Sequence, residues 1–352
     1  MKKKINALAA TCLTVSMLIG TMSVYAAGDS TADYTAGDDA PTYVMVSKTL
    51  SDPIFIDMYI GFSEYCQSVD ANCMYRGSDE PTAEKEIEVI TQLIAQGVNG
   101  LGVIAADYDA LEPILTQAMN QGIAVATFDS SVNPDGRQIH EEMADTDALG
   151  RAQMQTALEI CGGAGSEGVI GILSAQPESQ LHADWCSAML REVEDKPDDY
   201  ANITVLDIAY GDDLPDKSTT EAQAMLQNYP DIDVIISPTT VGILAAAKVI
   251  QDQGSDCKVT GVGLPSEMAP YIENGICPAF YLWNPYDQGY LAAACVDSLA
   301  TGTITGAVGE TFTAGRLGKY TIKEYTDGGS YVLLGDPIKF TKENIDEYKD
   351  QF

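Results

Sequence analysis

The sequence predicts an α/β protein built of two doubly wound halves, each a parallel sheet covered by helices on both faces. Three observations carry this. From about residue 42 strand-like runs alternate with segments of helical spacing, the rhythm of βαβ units and parallel pairing. The strand-like runs, such as "GLGVIAA" and "DVIISP", are apolar without strict alternation, as strands covered on both faces require. The rhythm breaks near residue 130 and restarts at 148, and a chain of 352 residues suffices for two domains.

Taken in order, "TYVMVS" (42–47) reads as a strand and 55–68 as a helix, with Ile56, Tyr59, Ile60 and Phe62 on one side. "NCMYRG" (72–77) is a strand. The helix 81–97 has Thr82 to cap it and Gly97 to end it. Strand 100–106, helix 110–122 and strand 123–129 complete the first half. The second half reads as helix 148–161, strand 168–175, helix 182–194, strand 203–210, helix 218–230 and strand 233–238. Helix 240–254, strand 258–264, helix 267–275, strand 277–283 and helix 286–302 follow. From about 311 the tail carries β-rich pieces and a short final helix in "KENIDEYKDQF".

The N-terminus reads as an export signal. Lys2, Lys3 and Lys4 precede an apolar stretch from about Leu8 to Met22, and Val24-Tyr25-Ala26 presents small residues where a signal peptidase reads, so cleavage is expected after Ala26. The apolar stretch is short for a retained membrane anchor, and Cys12, after Thr11, lies too early for a lipid-anchor cysteine. Residues 27–40, small, polar and acidic, read as a disordered spacer. The formal charge is −33, and losing the three leading lysines takes it to −36 (−33 − 3), which repels nucleic acid and anionic lipid. Seven cysteines follow the signal. Spacing suggests disulfides Cys66–Cys73, from a helix end to the next strand, and Cys257–Cys277, at the starts of successive strands. With no Cys-x-x-Cys and only His140 and His182, neither a zinc site nor any other metal or cofactor is expected.

In open parallel sheets ligands bind beyond the carboxyl ends of the strands. Lys48, Asp52 and Phe55 follow the first strand, Asp107 the third, and Asp129, Ser130 and Ser131 the fourth. In the second half Gln176, then Pro238, Thr239 and Thr240, then Trp283 and Asn284 hold the equivalent places. Such a set suits a neutral polyol: carboxylates and amides accept from vicinal hydroxyls, Lys48 donates to an oxygen, and Phe55 and Trp283 cover the apolar face of a ring. Any single strand-end acid also fits a capping role, and Asp145 and Asp147 read as caps of the helix at 148. No nucleophile elbow, dinucleotide fingerprint or phosphate loop appears, so no catalysis is expected.

The stretches "YLWNPYDQGYLA" (281–292) and "GSYVLLGDPIKFTKENIDEY" (329–348), with "TFD" (127–129) and "VIISP" (234–238), resemble the type I periplasmic binding proteins of sugar ABC importers. Within these the chain is most similar to the autoinducer-2 and rhamnose-type binders. The resemblance implies two lobes joined by three hinge crossings, near 130–145, near Asn284 and near 311–325. The N-terminal lobe would be 41–131 with 285–312, the C-terminal lobe 132–284 with 313–352. Against autoinducer-2 binders, Lys48, Asp129 and Pro238 match, whereas their Asp-Gln pair falls on Leu181 and His182 and an alanine on Thr240. Against ribose-type binders, Asp52, Phe55, Asp129 and Asn284 match, and the second-lobe aspartate falls on Leu264. The resemblance implies a monomeric, extracytoplasmic protein that captures a sugar or sugar-like ligand in the cleft and delivers it to an ABC permease. The alternative is a sensor presenting a sugar or autoinducer-2 to a chemoreceptor or sensor kinase.

Overall fold

In the computed structural model, which describes residues 31–50 and 52–351, the alternation becomes two parallel sheets. The signal peptide expected over 1–26 lies outside the described residues. The chain begins β1 (Thr42–Ser47), α1 (Ile54–Ser68), β2 (Asn72–Gly77), α2 (Ala83–Gln96), β3 (Gly100–Val103), α3 (Glu112–Asn120), β4 (Ala124–Phe128) and β5 (Ile139–Glu142). It continues α4 (Thr146–Cys161), β6 (Gly168–Ser174), α5 (Gln180–Asp195), β7 (Ile203–Val205), β8 (Ala209–Tyr210), α6 (Pro215–Asn228), β9 (Val234–Ser237), α7 (Thr240–Gln253), β10 (Lys258–Gly261) and α8 (Pro265–Glu273). Then come β11 (Ala279–Leu282), α9 (Pro285–Ala300), β12 (Thr311–Thr313), β13 (Lys319–Thr321), β14 (Lys323–Glu324), β15 (Ser330–Leu333), β16 (Ile338–Thr341) and α10 (Ile345–Tyr348).

The first sheet has the order β14-β15-β5-β4-β3-β1-β2, parallel except for β14, and the second runs β10-β9-β6-β7 with β8 further along β6. β11 lies beside β10 through a parallel bridge between Val262 and Tyr281, and β16 pairs antiparallel with β11. The chain therefore crosses between sheets at 143–145, 283–284 and 334–337. The resemblance implied crossings near 130–145, near Asn284 and near 311–325. The third comes later than 311–325, because β14 and β15 pair into the first sheet. For the same reason, and because β5 pairs with β4, segments expected in the second lobe belong to the first.

Alternation along β1 shows why both faces are apolar. Tyr43 and Met45 face the core shared with α1 and α9, while Val44 and Val46 face the core under α2 and α3. α1 and α9 cross at two glycines: a Cβ on Gly61 would strike the Tyr286 carbonyl, and one on Gly289 the Met58 carbonyl. Thr82 caps α2 through the Lys85 N–H, and Gly97 ends it in the left-handed region at φ 72°, as the sequence implied.

Two expectations are corrected. Residues 31–40 are not a loose spacer: Tyr34 exchanges backbone hydrogen bonds with Cys73, Arg76 pairs with Asp33 at 2.7 Å, and the Asn72 amide ties down Gly37 and Ala40. The seven described cysteines are free thiols. Cys257 and Cys277 turn to backbone carbonyls, those of Lys258 and Ala279. Cys66 and Cys73 are both buried, and burial together with Cys73 pushes the Cys66 thiol well up.

Candidate functional site

The first sheet reverses its winding between β1 and β3, and the second between β6 and β9, so the crevices at their carboxyl ends face each other. Into this cleft the turn after β1 delivers Lys48 and Asp52, the start of α1 delivers Phe55, and β4 ends in Asp129. From the second lobe come His182 on the first turn of α5, Pro238, Thr239 and Thr240 at the start of α7, and Trp283 after β11. These nine line one pocket with Ile54, Leu181, Trp185, Asp213 and Val262. Drawn together, the walls enclose about 30 Å³.

Its centre is an ion pair between lobes. Lys48 Nζ lies 3.1 Å from Asp213 Oδ2, 4.0 Å from Asp129 Oδ1 and 3.5 Å from Ser130 Oγ. Lys48 is 3 % exposed and Asp213 2 %, so water screens neither. Burial alone would depress the lysine, but Asp213, Asp129 and Asp52 outweigh it and hold its pKa above the ordinary value. Burial opposes ionisation of Asp213, yet Lys48, His182 and the Thr239 hydroxyl hold its carboxyl below the usual range. Burial lifts Asp129 despite Lys48 and the Ser130 hydroxyl, which donates to Oδ1 at 3.0 Å. Burial and the Asp213 charge raise Asp52 to about 7, although it accepts from Ile54 N–H at 3.2 Å and the Thr240 hydroxyl at 3.0 Å. His182, hydrogen-bonded to Ser179, is pushed down to about 4 by burial and by Lys48, so its ring is neutral near pH 7.

Asp129 and Asp213 both adopt left-handed backbone, at φ 57° and 52°. Asp tolerates that region better than most residues, at a cost of roughly 1–2 kcal/mol. Bends of this kind concentrate at ligand clamps, and here they turn each carboxylate out of its strand end into the cleft. Phe55, Trp185 and Trp283 supply aromatic walls. The Trp283 indole donates to Gln288 Oε1, whereas the buried Trp185 indole N–H has no partner within the described residues.

Four candidates stand outside this group. Asp107 folds onto its own loop, accepting from the Asp109 and Ala110 N–H groups. Asn284 caps α9, accepting from Asp287 N–H at 3.2 Å. Gln176 donates across the cleft rim to the Pro81 carbonyl at 3.0 Å. Ser130 sits behind Asp129 and supports it. Sequence reasoning missed Asp213, the second-lobe acid whose absence from the family positions was noted at Leu181 and Leu264. The signal was present: "ITVLDIAY" is followed by Gly211-Asp212-Asp213, another strand end closing on acids.

The family model for the periplasmic binding protein domain matches residues 43–304, most of the chain. The chain belongs to that family. Among solved structures, this binding protein is similar to an ABC transporter solute-binding protein from Clostridium phytofermentas with bound L-rhamnose: 37 % identity, TM-score 0.85, covering 91 % of this chain and 100 % of that one. It is also similar in fold to LsrB from Clostridium saccharobutylicum in complex with AI-2, at 20 % identity and TM-score 0.82, covering 87 % of this chain and 99 % of that one. Among curated proteins, the D-ribose/D-allose-binding protein of Pseudomonas aeruginosa is 25 % identical over 253 residues, 67 % of this chain and 75 % of that protein. The family consists of solute-binding proteins rather than enzymes.

Proposed function

We propose that this protein is the exported solute-binding component of a sugar ABC importer, and that its ligand is a 6-deoxyhexose of the L-rhamnose type. The observation that carries the reading is the interlobe cluster of Lys48, Asp213, Asp129 and Asp52, walled by Phe55, Trp185 and Trp283. The carboxylates accept from ring hydroxyls and Lys48 donates to an oxygen, charge-assisted bonds of the stronger kind. The unpaired Trp185 N–H offers a further donor to a ligand oxygen. Ile54, Leu181 and Val262 supply an apolar arc suited to the methyl group that distinguishes a deoxy sugar. The similarity to an L-rhamnose-bound solute-binding protein supports the same class. Binding draws the lobes together at the three crossings, and the closed form is presented to the permease.

A thermal-shift titration of the mature chain with L-rhamnose, L-fucose, D-ribose, D-allose, D-arabinose and autoinducer-2 tests this. Ligand that binds only the folded state raises Tm by mass action. A saturable shift largest with L-rhamnose is expected. A shift with autoinducer-2 alone, or with no neutral sugar, would overturn the reading.

A further inference from the structure

The cleft does not end at the inner site. A second cavity, of about 190 Å³, shares Asp129 and Leu181 with it. A third, of about 340 Å³, shares Asp184, Tyr325 and Thr326 with the second. The three form a run that widens from the buried ion pair outward between the lobes. We propose that the middle chamber is a second sugar subsite, so that this protein takes rhamnose-terminated disaccharides or glycosides, with the terminal sugar inside and its neighbour outside. The inference rests on the sugar-binding reading and extends its substrate class.

The chamber is built from both lobes. Tyr108 follows β3, and Tyr325 and Asp327 stand in the β14–β15 turn, while Gln180 and Asp184 open α5. Its polar groups are already oriented. Asp327 is fixed by Arg137 at 2.7 Å and by the Tyr108 hydroxyl at 3.0 Å. Asp184 accepts from the Gln180 amide at 2.8 Å. Three carboxylates, Asp129, Asp184 and Asp327, can accept from an occupant's hydroxyls, and the Tyr, Ser, Thr and Gln side chains around them can donate to its oxygens. Arg137 beside Asp327 balances one of the three carboxylates, and Lys48, paired more closely with Asp213, lies 4.0 Å from a second, Asp129. Two tyrosine side chains give a sugar's apolar face something to lie against. Water alone would need on the order of 10–15 Å³ per molecule, so a chamber of 190 Å³ has room for a group far larger than one or two waters, whereas the inner pocket of 30 Å³ must widen by hinge opening to seat the terminal sugar.

Isothermal titration of the full mature chain with three probes tests this: L-rhamnose, methyl α-L-rhamnopyranoside and α-L-rhamnosyl-(1→6)-D-glucose. The disaccharide should bind about tenfold more tightly than the methyl glycoside, the gain expected of two or three added hydrogen bonds. Asp184→Ala should remove much of that gain and Asp184→Asn, which keeps an acceptor but loses the charge, a smaller part of it, both leaving L-rhamnose affinity within about twofold. A disaccharide that binds no better than the methyl glycoside, or a gain that survives both substitutions, overturns the subsite and leaves the monosaccharide reading standing. Failure of all three probes overturns the sugar reading and the subsite with it.

Discussion

Lys48 and Asp213 are each acceptable in a buried cleft only because the other is there. Removing one partner of such a pair costs roughly 3–5 kcal/mol, whereas replacing both by apolar groups is often neutral. Asp213→Ala should therefore lower stability by about that amount, and Lys48→Met with Asp213→Leu should regain most of it in a chemical-denaturation experiment. The double variant should still bind no sugar; restored binding would show that the pair only fills space. Asp52 gives a pH prediction. In the native protein it holds its proton to about pH 7, against 3.8 for an ordinary aspartate, so between those values the native state binds more protons than the unfolded chain. Stability from this group falls as pH rises through that window. His182 works oppositely: its contribution is present above pH 6.5 and is lost as pH falls towards 4. Asp52→Asn keeps an acceptor for Ile54 and Thr240, so the Tm of the variant relative to the native chain should climb from pH 4 to pH 7 and then level. A difference independent of pH would remove Asp52 as the titrating group. At this scale the sequence was half legible. Lys48 and Asp129 follow unmistakable strands, so the strand-end rule finds them. Asp213 obeys the same rule, but "ITVLDIAY" breaks into β7 and β8, and its two acids stand among 52 in the chain.

Helices and strands were easier to read than the roles of the residues at their ends, because period reports burial while an end residue has two physical uses. Asn284 and Asp107 carry an acceptor oxygen at the same kind of position as Asp129. Only the direction of the next turn decides whether the group caps backbone or faces the cleft. Asn284→Ala discriminates these uses. It should cost about 1 kcal/mol, the worth of an N-cap, and leave sugar affinity within about twofold. A large loss of affinity would return Asn284 to the ligand shell. Packing between elements gives a second test. Gly61 and Gly289 let α1 and α9 meet at backbone distance. Gly289→Ala places a methyl against the Met58 carbonyl and should destabilise by about 1–3 kcal/mol, the usual result of overpacking, despite alanine's better helix propensity. Stabilisation would mean that the helices slide apart freely. Such close approach is invisible in sequence, since nothing in "IDMYIGFSEY" names the helix that Gly61 will touch. The late third crossing was equally hidden, because β14 and β15 are short and gain their place only by pairing with β5.

For the whole molecule, the two lobes have separate sheets, and the polar contacts that join them among the described residues include Lys48 with Asp213, Thr240 with Asp52, Gln176 with the Pro81 carbonyl, and the Tyr286 hydroxyl with the Gln351 carbonyl. Contacts of this kind suit a carrier that must both hold and release. A large apolar interface would lock the lobes together, whereas a few directed bonds leave closure to be decided by a ligand that bridges them. Gln176 makes a contact at the rim that spans the lobes without lining the inner site, so it tests closure apart from recognition. Gln176→Ala removes one hydrogen bond worth about 0.5–1.5 kcal/mol, equivalent to roughly a two- to tenfold weakening. The effect should fall on release rather than capture, because the bond forms only after the ligand is seated and the lobes have met. Stopped-flow measurements following Trp185 and Trp283 fluorescence should give an unchanged association rate and a dissociation rate raised severalfold. A slowed association with normal dissociation would place Gln176 on the path of approach, and equal rates would mean that the rim contact carries no part of closure.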